Sequence, residues 1–130
     1  MIAEHNAEEY IKTFGMISSQ EVSEKMKVAS CFVLFSDYEN QPCVIVESFA
    51  TGLPVIAPKV GGIPEILDSS RGILIDKGDE EGLLDAMQNV LEGSVSFKNS
   101  AEIRKYCIEH FSQQKIAEQF SEIYNTILQL

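Results

Sequence analysis

Basic residues are scarce in this chain: 10 Lys and Arg stand against 20 Asp and Glu in 130 residues, for a net charge of -10. A surface of that sign repels phosphate backbones and anionic membranes, and no basic run interrupts it, which argues against nucleic acid as a partner. Cysteine is sparse too. Cys31, Cys43 and Cys107 form no CxxC or Cys/His pattern, so no metal site is written in the sequence, and their odd number leaves no complete disulfide framework. No apolar run approaches the ~20 residues of a membrane span, and Met1 to Glu9 lack the basic start and apolar stretch of a signal peptide. The expectation is a reduced, cytoplasmic setting with no transmembrane segment.

What is present is a chain 45% apolar and 23% charged, without Trp and with modest Gly and Pro. This length suits one domain burying roughly two thirds of its unfolded surface, enough for a single core. Tyr10 to Phe14 is β-rich and closed by Gly15, which predicts a strand. Ser19 offers an N-cap for a helix over 20–29, where Val22, Met26 and Ala29 recur at helical spacing. Cys31 to Phe35 and Leu53 to Ala57 are uninterrupted apolar runs, as expected of strands covered on both faces.

Between those runs, Val44-Ile45-Val46 favours a strand by propensity. Two parallel strands, however, need a crossover, usually helical and right-handed. Pro42 in the first turn, Gly52 just past the end and Pro54 behind it mark a helix over Cys43 to Thr51. Gly61-Gly62 makes a turn, and Ile63 to Asp68 reads as a short helix. Arg71 to Ile75 follows as a strand, and Asp79 then caps a helix with a stripe of Leu83, Leu84, Met87, Val90 and Leu91, ended by Gly93-Ser94. Two more helices are predicted over 98–110 and 112–130. In the second, Ile116, Phe120, Ile123, Tyr124, Ile127 and Leu128 make an apolar face suited to core or interface. His5 and His110 read as surface or packing residues.

The alternation predicts an α/β fold: a parallel, doubly wound sheet of about four strands with helices on both faces. It forms one domain over 1–130, with its core over 10–93 and C-terminal helices over 94–130. In such sheets ligands sit beyond the carboxyl ends of strands, near helix N-termini that favour anions. Glu39 to Val44 occupies that position. Amides at Cys43 and Val44 can bind a phosphate or a sugar hydroxyl, and a carboxylate such as Glu39 or Glu47 accepts hydrogen bonds from hydroxyl groups. Together they suit a sugar attached to a nucleotide.

The linked motifs add specificity. A strand ends at Ser36, Glu39 and Glu47 frame a Glu-x7-Glu pattern, and Gly52-Leu53-Pro54-Val55-Ile56 and Gly61-Gly62-Ile63-Pro64-Glu65 follow in order. From Phe14-Gly15 to Leu91 the chain resembles the donor-binding, Rossmann-like C-terminal domain of retaining glycosyltransferases of family 4, within the two-domain GT-B fold. That resemblance implies a transferase moving a sugar from a nucleotide donor to a glycan or lipid acceptor, as in polysaccharide biosynthesis. It implies that Glu39 acts as the catalytic carboxylate, meeting hydroxyls of the transferred sugar or shaping charge near its anomeric carbon. Glu47 would hold the ribose, and Asn40, Gln41 and the backbone around Pro42, Cys43 and Val44 would contact sugar and pyrophosphate. The Phe14-Gly15-Met16 segment would line the base. The nucleotide-diphosphate sugar is then a substrate, with no cofactor and no divalent-ion requirement.

Three departures from that family carry consequences. Pro42-Cys43 stand where Phe-Gly is common, which reshapes the sugar pocket. The basic Gly-Arg-x4-Lys element that neutralises the pyrophosphate has no counterpart here; Lys59 is the nearest basic residue and does not replace it by spacing. The acceptor-binding N-terminal domain that the resemblance implies is expected to lie outside this sequence. Losing one well-placed charge-stabilising donor costs roughly 2.7–4 kcal/mol of barrier, so the chain alone is expected not to turn over. By the family's strand order, strand 10–14 would lack its two intervening partners. It is expected to shift beside strand 31–35, or to leave an edge that pairs with another chain, giving a homodimer through that edge or the C-terminal helix. Two other classes fit less well: a related GT-B epimerase or phosphorylase, and a non-catalytic phosphate-binding module. A receiver-like form of the latter, with Asp37 as acceptor and Lys59 as partner, lacks the acidic pair it needs, since Gly15-Met16-Ile17 follows Phe14.

Overall fold

A computed structural model describes residues 7–128. His5 and the start of the chain, and Gln129-Leu130 at the end of the last predicted helix, lie outside them. The elements run α1 (Ser19–Val28), β1 (Phe32–Val33), α2 (Cys43–Thr51), β2 (Val55–Pro58), α3 (Ile63–Ile66), β3 (Gly72–Ile75), α4 (Glu80–Glu92), α5 (Ser100–Phe111) and α6 (Gln113–Leu128). The three strands form one parallel sheet in the order β1-β2-β3, with Val33 beside Ile56 and Ile56 beside Ile73. Among the described residues, no helix is long and apolar enough to cross a membrane.

Alternation along β2 explains how both faces are covered. Val55 and Ala57 pack with Ile45 and Phe49 of α2, Ile63 and Ile66 of α3, and Ile103 and Cys107 of α5. Ile56 points the other way, to Ile75 and to Ala86 of α4. Burial then acts on the cysteines: it pushes the thiols of Cys31 and Cys107 up in pKa, and Cys107 donates to the Val46 carbonyl at 3.5 Å. His110 stacks on Tyr106 with centroids 4.2 Å apart, a packing role.

The predicted strand 10–14 does not form, so the sheet has three strands rather than about four. Residues 8–10 make a turn and 11–15 run without sheet partners, and Tyr10, Ile11 and Phe14 are exposed. Side chains that favour strands supply no strand without a neighbouring edge to pair with. Phe14 is instead covered by the Lys25 ammonium, 3.5 Å from its ring centroid. Helix α1 starts at Ser19, one residue earlier than expected, and Ser18 rather than Ser19 is the N-cap. Its hydroxyl accepts from the Glu21 amide at 3.3 Å while the Glu21 carboxylate accepts from the Ser18 amide at 2.8 Å. α6 buries none of its residues, and its apolar face stands open, with Phe120 55% and Ile127 70% exposed.

Candidate donor site

The carboxyl ends of the strands, where the sequence placed a ligand, are built by two loops locked together. The loop after β1 carries Glu39, Asn40 and Gln41; the turn after β2 carries Gly61 and Gly62. The Gly62 amide donates to the Asn40 carbonyl at 2.6 Å. Gly61 has φ +52°, and a Cβ added there would overlap the Glu39 carbonyl oxygen and stand 2.8 Å from that of Asn40. The Gly61-Gly62 pair therefore holds the loop that carries Glu39. Glu39 is half-buried against this turn, while Asn40 and Gln41 are exposed.

The loop delivers the chain to α2 without a side-chain cap. Pro42 is the N-cap residue, with φ -71° and ψ 119°, and no side chain bonds the first turn. The Ile45 amide returns to the Pro42 carbonyl at 3.1 Å, which leaves the amides of Cys43 and Val44 open. Helices α1, α4 and α5 differ: Ser18, Asp79 and Asn99 each accept from the first turn. An uncapped N-terminus carries about half a positive charge in its aligned dipoles, a ready site for an anion or a hydroxyl oxygen. Cys43 is exposed at the mouth of this site and Val44 half-buried beside it.

Glu47 lies one turn further along α2, exposed, and lines a cleft of about 550 Å³ between α1 and α2. Ile17, Ser19 and Val22 border the same cleft, as do Lys27 and Arg104. Of the site residues expected from sequence, the structure brings Glu39, Asn40, Gln41, Pro42, Cys43 and Val44 together on one loop and helix end, with Glu47 beside the cleft. Gly15 sits at φ +61° in the segment before α1, and the Met16 side chain is wholly exposed. Neither borders the cleft; Ile17 does. Arg104 went unread in the sequence. It donates to the Ala50 and Thr51 carbonyls at 3.2 Å each, closing the far end of α2 from 54 and 53 positions away, a distance no local pattern reports. Among the described residues, no group of three or more His, Cys, Asp or Glu side chains could hold a metal ion.

Known proteins resemble this chain in sequence and in fold. N-acetyl-alpha-D-glucosaminyl L-malate synthase of Bacillus anthracis is 32% identical over 109 residues, covering 82% of this chain and 29% of that protein. Alpha-maltose-1-phosphate synthase of Mycolicibacterium smegmatis is 33% identical over 120 residues, covering 86% and 31%. The chain thus spans about a third of the length of the relatives it matches. Among solved structures, sucrose-phosphate synthase of Thermosynechococcus elongatus superposes with a TM-score of 0.84 at 26% identity, over 98% of this chain and 32% of that one. HepE of Anabaena, solved in complex with UDP, gives 0.84 at 22% identity over 96% and 35%, a likeness of fold. The model for glycosyl transferases group 1 matches residues 2–93, and with it the chain belongs to that family of glycosyltransferases.

Proposed function

We propose that this chain supplies the nucleotide-sugar donor-binding part of a retaining, hexosyl-type glycosyltransferase acting on a glycan or lipid acceptor in the cytoplasm. The observation that carries the reading is the uncapped N-terminus of α2, held by the Gly61-Gly62 turn at the carboxyl end of the sheet with Glu47 one turn along the same helix. In this reading the Cys43 and Val44 amides take a donor oxygen, Glu47 accepts from the ribose hydroxyls, and Glu39 faces the transferred sugar. Fixed amide dipoles suit charge that develops on a departing diphosphate, because they need no reorganisation as the bond breaks. Turnover belongs to the assembly with an acceptor-binding domain, and the chain by itself binds donor without transferring it. Neither a metal nor a cofactor enters the scheme.

The test is a calorimetric comparison of UDP, GDP and ADP with their 2′-deoxy counterparts. The ribonucleotide that binds is expected to lose about tenfold or more as its deoxy form, the value of one hydrogen bond to a charged group. Glu47→Ala is expected to erase that difference. Equal affinity for ribo and deoxy forms in the unsubstituted chain would reject the role of Glu47.

A further inference from the structure

We infer that α6 is the seam of a two-fold homodimer, in which two copies of the chain lay this helix against each other antiparallel. The inference is independent of the donor-site reading and concerns a different surface. α6 packs chiefly on α5 and buries none of its 16 residues. A helix of this length is marginal in water unless an amphipathic face is packed. Its apolar residues are not scattered: Ile116, Phe120, Ile123 and Ile127 follow at steps of four, three and four, the alternation with which one helix presents a narrow seam to another. Phe120 and Tyr124 add an aromatic pair near the middle, with ring centroids 6.4 Å apart.

Charge selects the occupant. The chain carries a net charge of -10, so most of its surface opposes a second copy. α6 is arranged otherwise. Its charged groups, Lys115, Glu118 and Glu122, stand at positions turned away from the seam, and the positions that flank the seam hold Ala117, Gln119, Tyr124 and Thr126. A basic partner would be met by acidic flanks, and these are neutral. Neutral flanks around an apolar seam suit a copy of the same helix, which closes as a self-complementary two-fold contact.

Direction follows from register. With one helix reversed about an axis level with Ser121 and Glu122, Ile116 lies opposite Ile127 and Phe120 opposite Ile123, so each ring meets a branched aliphatic side chain. The flanks pair as well: the Tyr124 ring comes over Ala117 of the second copy, and the Gln119 amide comes beside its Thr126 hydroxyl. Parallel helices would instead stack Phe120 on Phe120 and bring the two acidic bodies to the same end. Antiparallel helices keep those bodies at opposite ends of a 16-residue helix about 24 Å long, well beyond the ~8–10 Å over which exposed charges act at physiological salt.

Sedimentation velocity of the full chain over a wide concentration range tests this, with circular dichroism checking that each variant keeps its helix content. The unsubstituted chain is expected to pass from monomer to dimer, and Phe120→Ser to weaken the dimer about tenfold or more, as truncating a central aromatic anchor does. Paired charges read the direction. Gln119→Lys with Thr126→Glu sets opposite charges across the antiparallel seam and is expected to keep the dimer, whereas Gln119→Glu with Thr126→Glu sets like charges there and is expected to dissociate it. Loss of the dimer in both double variants overturns the antiparallel direction. Retention in both, or a dimer indifferent to Phe120→Ser, moves the contact off α6 and overturns the inference. An unsubstituted chain that stays monomeric at every concentration overturns it as well, and leaves this face to a different domain.

Discussion

Replacing Gly61 by alanine tests whether the turn after β2 truly holds the Glu39 loop. Two costs arise at once. The residue sits at φ +52°, where an L side chain costs about 1–2 kcal/mol. Its new Cβ would also collide with the Glu39 carbonyl and crowd that of Asn40. Those neighbours are backbone atoms, not the flexible end of a side chain, so relief requires moving the loop, an overpacking cost of about 1–3 kcal/mol. Together the loss is roughly 2–5 kcal/mol, a large share of the 5–15 kcal/mol typical of a folded domain. Gly93→Ala supplies the control: its φ is +68° and nothing lies within 4 Å of the added Cβ, leaving only the conformational cost of about 1–2 kcal/mol. Urea unfolding followed by circular dichroism measures both. The predicted order is Gly61→Ala well below Gly93→Ala in midpoint, with nucleoside diphosphate affinity lost in the first and kept in the second. Equal midpoints would refute the claim that the two loops are locked together.

Two further outcomes follow from the structure. Burial acts to raise the carboxyl of Asp68, but hydrogen bonds from the Ser70 side chain and amide and the Arg71 charge outweigh it and hold Asp68 below its ordinary 3.8. A depressed carboxylate stabilises the fold above that ordinary value and loses its contribution as pH falls beneath it, so unfolding midpoints should drop on acidification below pH 3.8; Asp68→Asn should flatten that drop, and an unchanged profile would contradict it. The open face of α6, from Ile116 to Leu128, is expected to drive self-association in sedimentation velocity, with Phe120→Ser returning a monomer; a monodisperse unsubstituted monomer at high concentration would count against it.

How far the sequence could be read depended on whether a residue's partner lay nearby. α2 and α4 were legible almost to the residue, because Pro42, Gly52 and Pro54 mark the ends of one, and Asp79 and Gly93 those of the other. These signals act within a single turn. Choosing helix over the strand propensity of Val44-Ile45-Val46 worked because a parallel sheet requires a crossover, and β1 and β2 are indeed parallel. The error at 10–14 has the opposite cause: Tyr10, Ile11 and Phe14 have strand-forming side chains, but a strand is a relation between two segments, and this one pairs with neither outer strand of the sheet. The family and its fold were legible from linked motifs. The mutual support within the site was not: the clamp of Gly61-Gly62 on Glu39-Asn40 and the reach of Arg104 to the end of α2 join residues too distant for any periodicity to connect.

The most direct test of the central claim, that the open N-terminus of α2 receives the donor, is a backbone-amide NMR titration of the chain with UDP, GDP and ADP. The account predicts saturable shifts concentrated at Cys43 and Val44, extending to Glu39 and Glu47, with the amides at the capped starts of α4 and α5 unmoved and with no change on adding a divalent ion. Spectra that stay fixed at millimolar nucleotide, or shifts shared equally among all the helix N-termini, would contradict it.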